Sequence, residues 1–324
     1  MNIFLFPSRN IALTIPIALA AGFATGLMVD TTPLKSLILP VTILMIYPTM
    51  IGFRISEILT LAHSKLLAAS LIINFILIPA LAYTLGTAFL LRDPQLFAGL
   101  SIAAMLPTSN MTIAFTMIGK GNVPAAIKLT VVSLILGSLL APWYLLAMVG
   151  KYIPIDVLST LKTIAMVVFF PLILGTLTYS VILKRTTMEH FNKKIKPLLP
   201  AASAWGMVYI VFTSISINAH RIISRPDILV IALFVQILFY AINYLIAVLI
   251  GRRYFNRKDS LAFVFSTALR NLSISIGLAA TAFGANAALM VSLAFLIQGQ
   301  AAAWFVRLDQ KHKLLQEQTS DSYS

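Results

Sequence analysis

The 324 residues carry 59% hydrophobic and only 10% charged side chains, with a mean hydropathy of +0.93. A single soluble core of this length has no use for so much apolar surface, which excludes a soluble globular domain. The net charge of +14 would suit nucleic acid only on a basic face of a folded soluble surface, and such a chain has none.

Taken in chain order, Met1–Pro7 is too short for a secretory leader and has neither a charged n-region nor a cleavage site, so it is expected to stay on the mature chain. Apolar segments near 10–29, 34–53, 66–91, 95–119, 122–149, 157–183, 198–218, 227–251, 260–283 and 286–306 follow, each long enough to span a bilayer as a helix. In the first, Gly22 and Gly26 form a small-xxx-small pair that predicts close helix packing. The fourth holds Pro107 and the phrase Asn110-Met111-Thr112-Ile113-Ala114, then Gly121-Asn122 and Ala125-Ala126. The ninth repeats the phrase as Asn271-Leu272-Ser273-Ile274-Ser275, followed by Gly284-Ala285-Asn286 and Ala287-Ala288. Trp143 and Trp304, near segment ends, read as interfacial anchors. Gln298, Gln300 and Asn243 read as interhelical hydrogen-bonding groups outside any site. From Asp309 to Ser324 the chain turns polar and predicts a disordered tail.

With loops assigned alternately to two sides, sixteen Lys/Arg fall on the side of the termini and six on the other. That asymmetry is the positive-inside rule and predicts a multi-pass cell-membrane protein with both termini cytoplasmic. Ten spans divide into a first five-helix repeat, 1–150, and a second, 151–308, ahead of the tail 309–324. An odd number per half inverts the second repeat, and the doubled phrase then occupies the same position in each. Inverted repeats put solute sites near the midplane, where interrupted helices expose their ends. Pro107 removes a backbone donor and favours the first break; the second is expected from the repeat alone.

Two stretches now resemble a known family. Leu106-Pro107-Thr108-Ser109-Asn110 running on to Gly119-Lys120-Gly121-Asn122, and Ser266-Thr267-Ala268-Leu269-Arg270-Asn271, are similar to the two discontinuous helices of the bile acid/sodium symporter family. Arsenite permeases form a neighbouring branch. The resemblance implies an all-α fold of ten transmembrane helices in two inverted repeats of five, with helices four and nine crossing in a core domain beside a panel domain. It also implies that Ser109, Asn110 and Thr130 stand where members line one sodium site, and Asn74 where a glutamine serves the other. Ser266, however, stands where the family has a glutamate shared by both sites, and Arg270 where it has a glutamine.

These departures bear on coupling. The ten acids, Asp30, Glu57, Asp93, Asp156, Glu189, Asp227, Asp259, Asp309, Glu317 and Asp321, all fall in loops or at segment ends. Sodium thus lacks its acid ligand, no other cofactor is called for, and a carboxylate proton relay has no members. Two cations remain inside spans. Arg270 lies ten residues into segment nine, about 15 Å at helical rise and near the midplane. An intramembrane charge costs at least about 2.5–3.5 kcal/mol, so it needs carbonyls, polar side chains or a bound anion. Lys128, six residues past Asn122, either joins the site or snorkels to the cytoplasmic surface.

The expected function is secondary transport of a small organic anion by alternating access, with altered or absent sodium coupling. Asn110, Asn271, Arg270, Thr112, Ser273 and Lys128 are the expected substrate contacts. The partners are a small anionic solute and the lipid bilayer. An arsenite or antimonite permease is the alternative, although trivalent arsenic favours thiolates and the chain has no cysteine. A channel or membrane sensor is a second alternative, since broken helices can line a pore. Enzyme chemistry has no foothold: the four histidines sit at segment ends or in loops, and Lys128 and Ser133, five apart, face different sides of a helix.

Overall fold

The computed structural model describes residues 3–52 and 63–315, and among these the chain is helical, without a strand. Among the described residues seven helices are long and apolar enough to cross a membrane, or eight if the N-terminal pair, bent by 105°, forms one span. α1 (Ile11–Met28) carries the longer limb of that pair, and α2 (Thr32–Met50) and α3 (Ser64–Phe89) are the first two of the seven. Two short helices follow, α4 (Pro94–Met105) and α5 (Asn110–Ile118). Then come α6 (Val123–Val149), α7 (Val157–Arg185), α8 (Met188–Ile217) and α9 (Pro226–Tyr254). A second short pair, α10 (Arg257–Ala268) and α11 (Leu272–Ala282), precedes α12 (Ala285–His312). Glu57, Glu317 and Asp321 lie outside the described residues.

The long helices are apolar all round, as segments in hydrocarbon must be. Leu44, Ile72, Ile173 and Leu249 point outward, as do Trp143 and Trp304. In lipid every backbone group needs an internal partner. Pro79 cannot donate to the carbonyl four residues back, that of Phe75. The helix answers with a wide turn over Ile73–Leu77, and the Tyr144 hydroxyl donates to the Phe75 carbonyl instead.

Helices α1, α2, α7 and α8 pack together, while α6, α9 and α12 pack against the two short pairs. The predicted glycine pair explains part of the first group. A Cβ on Gly26 would stand 2.0 Å from the Ser216 carbonyl oxygen, and one on Gly22 would stand 2.5 Å from Ile215. Gly26→Ala is therefore expected to destabilise the protein by about 1–3 kcal/mol through overpacking. Thermal unfolding in detergent should show a lowered Tm, whereas Ala24→Val on the exposed face of α1 should leave it unchanged.

Both phrase-bearing segments are interrupted, and the interruptions pair with each other. Thr108 N donates to the Leu269 carbonyl at 2.9 Å and Asn271 N to the Leu106 carbonyl at 2.9 Å, making a single antiparallel bridge between Pro107 and Arg270. Each break thereby supplies the partners the other lost. Thr108 takes a left-handed φ of +64° to do so.

At one end of the molecule Asp93, before α4, pairs with Arg221; burial holds its carboxyl above the usual range despite the guanidinium. At the other end the polar stretch assigned to a tail corrects its own boundary. α12 continues to His312, and Asp309 is buried, accepting from Arg257 at 2.7 Å and from Leu315 N at 2.9 Å. A polar sequence is helical here because a buried carboxylate with two donors anchors it. Residues 316–324 lie outside the described residues.

Candidate functional site

The doubled phrase is, first, capping grammar. A helix that restarts inside a membrane exposes N–H groups that need acceptors. Ser109 Oγ accepts from Met111 N at 3.2 Å, and Thr112 Oγ1 accepts from Ser109 N at 3.2 Å, forming a reciprocal cap on α5. Thr112 also donates to the Phe265 carbonyl, tying α5 to α10. At α11, Asn271 Oδ1 accepts from Ile274 N at 3.3 Å. Asn110 opens α5 through its backbone; its side chain lies outside the described residues.

Beside these caps is a cavity of about 100 Å³. One wall is Ser109 and Met111 of α5 with Thr130 and Leu134 of α6; another is Arg270, Asn271 and Ser273 at the second break. Thr49 and Met50 of α2 close one side, and Phe295 and Gln298 of α12 the other. The cavity therefore lies between the two helix groups. Among the described residues, no carboxylate lines it.

Arg270 is fully buried, and its side-chain hydrogen bonds go to carbonyl and amide oxygens. Its Nη1 donates to the Ala104 carbonyl at 3.2 Å, and Nη2 to the Thr267 carbonyl and, at 3.5 Å, to Asn243 Oδ1. The Phe239 ring lies 6.0 Å from Cζ. Ala104 and Thr267 sit in the last turns of α4 and α10, where a helix dipole is negative. Conversely, the positive N-terminal ends of α5 and α11 face the cavity. Arg270 itself is on the cavity wall, but none of the guanidinium's hydrogen-bond partners is, and Nε has no partner among the described residues.

Gln298 holds the second break open. Its Oε1 accepts from Arg270 N at 2.6 Å and from Tyr240 OH at 2.8 Å, while Nε2 donates to the Arg270 carbonyl at 3.1 Å. One side-chain amide thus replaces the peptide partners a helix would have provided. Sequence reasoning left Gln298 and Asn243 out of the site and missed Tyr240. The available signal was the spacing of Gln236, Tyr240 and Asn243, one polar stripe on the inner side of α9.

The remaining expected residues are dispersed. Thr112 serves the cap rather than the cavity wall. Lys128 is buried in α6, 3% exposed, and is not on the wall. It does not snorkel to the surface. Asn74 and Ser266 are fully buried in a separate chain of bonds, from Asn74 Nδ2 to Ser70 Oγ (3.1 Å), Ser70 to Ser266 Oγ (3.2 Å), and Ser266 to the Phe263 carbonyl (2.9 Å). The positions equated with ion ligands therefore split: Ser109 and Thr130 face the cavity, while Asn74 Nδ2 donates directly to the Ser266 carbonyl at 3.3 Å.

The chain is 26% identical over 247 residues to the "Uncharacterized protein YbaS" of Bacillus subtilis (strain 168), covering 76% of this chain and 79% of that protein. It is 23% identical over 308 residues to the "Arsenical-resistance protein Acr3" of Corynebacterium glutamicum, covering 87% and 82%. It is 22% identical over 289 residues to the "Probable sodium/metabolite cotransporter BASS1, chloroplastic" of Arabidopsis thaliana, covering 86% and 68%. The model of the Sodium Bile acid symporter family matches residues 39–225. With more than half its length matched, an all-helical membrane body and a polar crossing of broken helices, this multi-pass membrane protein belongs to the Sodium Bile acid symporter family of transporters.

Proposed function

We propose that the chain is a secondary carrier of a small organic anion working by alternating access. The observation that carries this reading is the cavity at the crossed breaks: two helix N-termini face it, Arg270 is on its wall, and no described carboxylate lines it. Such a site stabilises negative charge on a bound solute. In this reading segments 95–119 and 260–283 each count as one broken span, giving ten spans, two inverted repeats (1–150 and 151–308) and cytoplasmic termini. Helices α1, α2, α7 and α8 form the panel, and the remainder form the core that rocks against it.

Arg270 supplies a fixed positive charge where a mobile cation would otherwise balance the negative ends of α4 and α10, so sodium coupling is not required. Asn271 and Ser273, with Ser109 and Thr130, offer polar contacts to the solute, and Asn110 is assigned with them from its place in the phrase. Uptake of organic anions into proteoliposomes, with and without a sodium gradient, tests the reading. Saturable uptake and counterflow, changed less than about twofold by sodium, are expected; strong sodium dependence would overturn the coupling claim. The Acr3 relative favours one second reading, passage of a neutral metalloid hydroxide through the hydroxyl-lined cavity. Arsenite resistance conferred on sensitive cells, with no organic-anion counterflow, would select it.

A further inference from the structure

Helix α8 is longer than a span needs. Its 30 residues, Met188–Ile217, exceed the roughly 20 that cross a bilayer core, so about ten of them stand outside the hydrocarbon. The charge pattern says which. Met188 to Pro197 carries Glu189, His190, Lys193, Lys194 and Lys196, whereas Leu198 to Ile217 has no charged residue, and Lys184 and Arg185 close α7 just before. These first turns form a ledge held in place rather than a loose loop. Thr187 Oγ1 accepts from His190 N at 3.2 Å, and the Tyr179 hydroxyl donates to Met188 Sδ at 3.4 Å. Phe191 is buried, edge-on to the Tyr179 ring with centroids 5.0 Å apart. It also reaches the end of α2, where a Cβ on Gly52 would stand 3.4 Å from its Cζ.

The charge of this ledge is not met by the protein. Glu189 is already paired with Lys193 at 2.6 Å. Lys184, Arg185, Lys194 and Lys196 are exposed and form no ion pair among the described residues. The basic start of α10 differs, because Arg257 is held by Asp309 and Lys258 is followed by Asp259. Met188 and Leu198 lie at the two ends of the ledge, 43% and 45% exposed. Cations beside exposed apolar side chains, at the depth where a span leaves the hydrocarbon, match a layer with phosphates outside and acyl chains beneath.

We propose that this ledge binds anionic phospholipid headgroups, and that Phe191 passes the attachment on to α2 and α7. In the proposed topology the headgroups belong to the cytoplasmic leaflet, whose surface is negative. An excess of Lys and Arg on one side orients a chain without any fold; an anchored ledge makes a site of it, and the two can be told apart. Purified protein in a neutral detergent is unfolded thermally with added phosphatidylglycerol, phosphatidylcholine or inorganic phosphate. Phosphatidylglycerol is expected to raise the Tm by roughly 3 °C or more, and the other two by less than about 1 °C. The gain should shrink at high salt. Lys194→Gln with Lys196→Gln should remove most of it. Arg252→Gln with Arg253→Gln takes the same charge from the end of α9 and should leave it. Phe191→Ala keeps every charge and should lose the gain, read against its own lipid-free Tm. No gain with phosphatidylglycerol, an equal gain with phosphate or an oligonucleotide, or equal losses in the two double variants would overturn the proposal. A full gain in Phe191→Ala would overturn it as well, because charge alone would then suffice. None of these readouts involves transport, so they judge the lipid site apart from the carrier reading.

Discussion

Arg270→Gln is expected to lower organic-anion uptake roughly tenfold or more, equivalent to about 1.4 kcal/mol of lost solute stabilisation, and to lower the Tm as well. Two helix C-termini converge on this guanidinium, each carrying about half a negative charge, so one monovalent cation balances both. A neutral amide leaves that balance unmet. It also releases the Ala104 and Thr267 carbonyls, and each buried acceptor left unpaired costs about 1–3 kcal/mol. Glutamine can re-bond one of them, so a stability loss of about 1–3 kcal/mol should remain. Arg270→Lys keeps the charge but loses the planar fork; it should recover uptake better than stability. Counterflow in proteoliposomes and thermal unfolding in detergent read the two effects apart. Equal uptake by wild type and Arg270→Gln would sink the role given to the charge.

Gln298→Leu should be the more damaging substitution for the fold. Its side chain satisfies the Arg270 N–H, the Arg270 carbonyl and the Tyr240 hydroxyl at once. Leucine strands all three in a dry interior, a loss of roughly 3 kcal/mol or more. The variant is expected to accumulate poorly in membranes and to unfold well below wild type. Gln298→Glu keeps both acceptor contacts and sets a carboxylate beside a cation that has none. It should accumulate better than the leucine variant but carry anions poorly, because the added charge cancels the site's field. A leucine variant with wild-type Tm would show that the second break does not depend on this amide.

Much of the fold was legible before any coordinates. Apolar length announced spans, Pro107 announced one break, and the repetition of the phrase announced the other; that the phrase caps the restarting helices came only from the structure. Gly22 and Gly26 announced a close contact without naming α8 as the partner. The site was read less completely. Asn271 and Ser273 reached the cavity, but Thr112 was spent on a cap and Lys128 was buried away from the wall. Glutamines on α12 and the tyrosine of α9 carry no local signature, since an amide in a membrane helix reads the same whether it bridges two helices or replaces a peptide partner. Asp309 likewise read as the start of a polar tail because its ion-pair partner, Arg257, comes from another helix.

What the sequence by itself determined is the membrane setting, the doubled restarts and an intramembrane arginine with no acid inside the spans to meet it. Those follow from composition and local hydrogen-bonding need, which act over a few residues. Only the tertiary structure decided where the charge points. Arg270 turns toward the carbonyl ends of α4 and α10, with Gln298 closing the gap behind it, and the helix N-termini are left to face the cavity. That choice depends on how two broken helices cross, because dipole ends and orphaned backbone groups more than 150 residues apart must satisfy one another in a medium that offers no water.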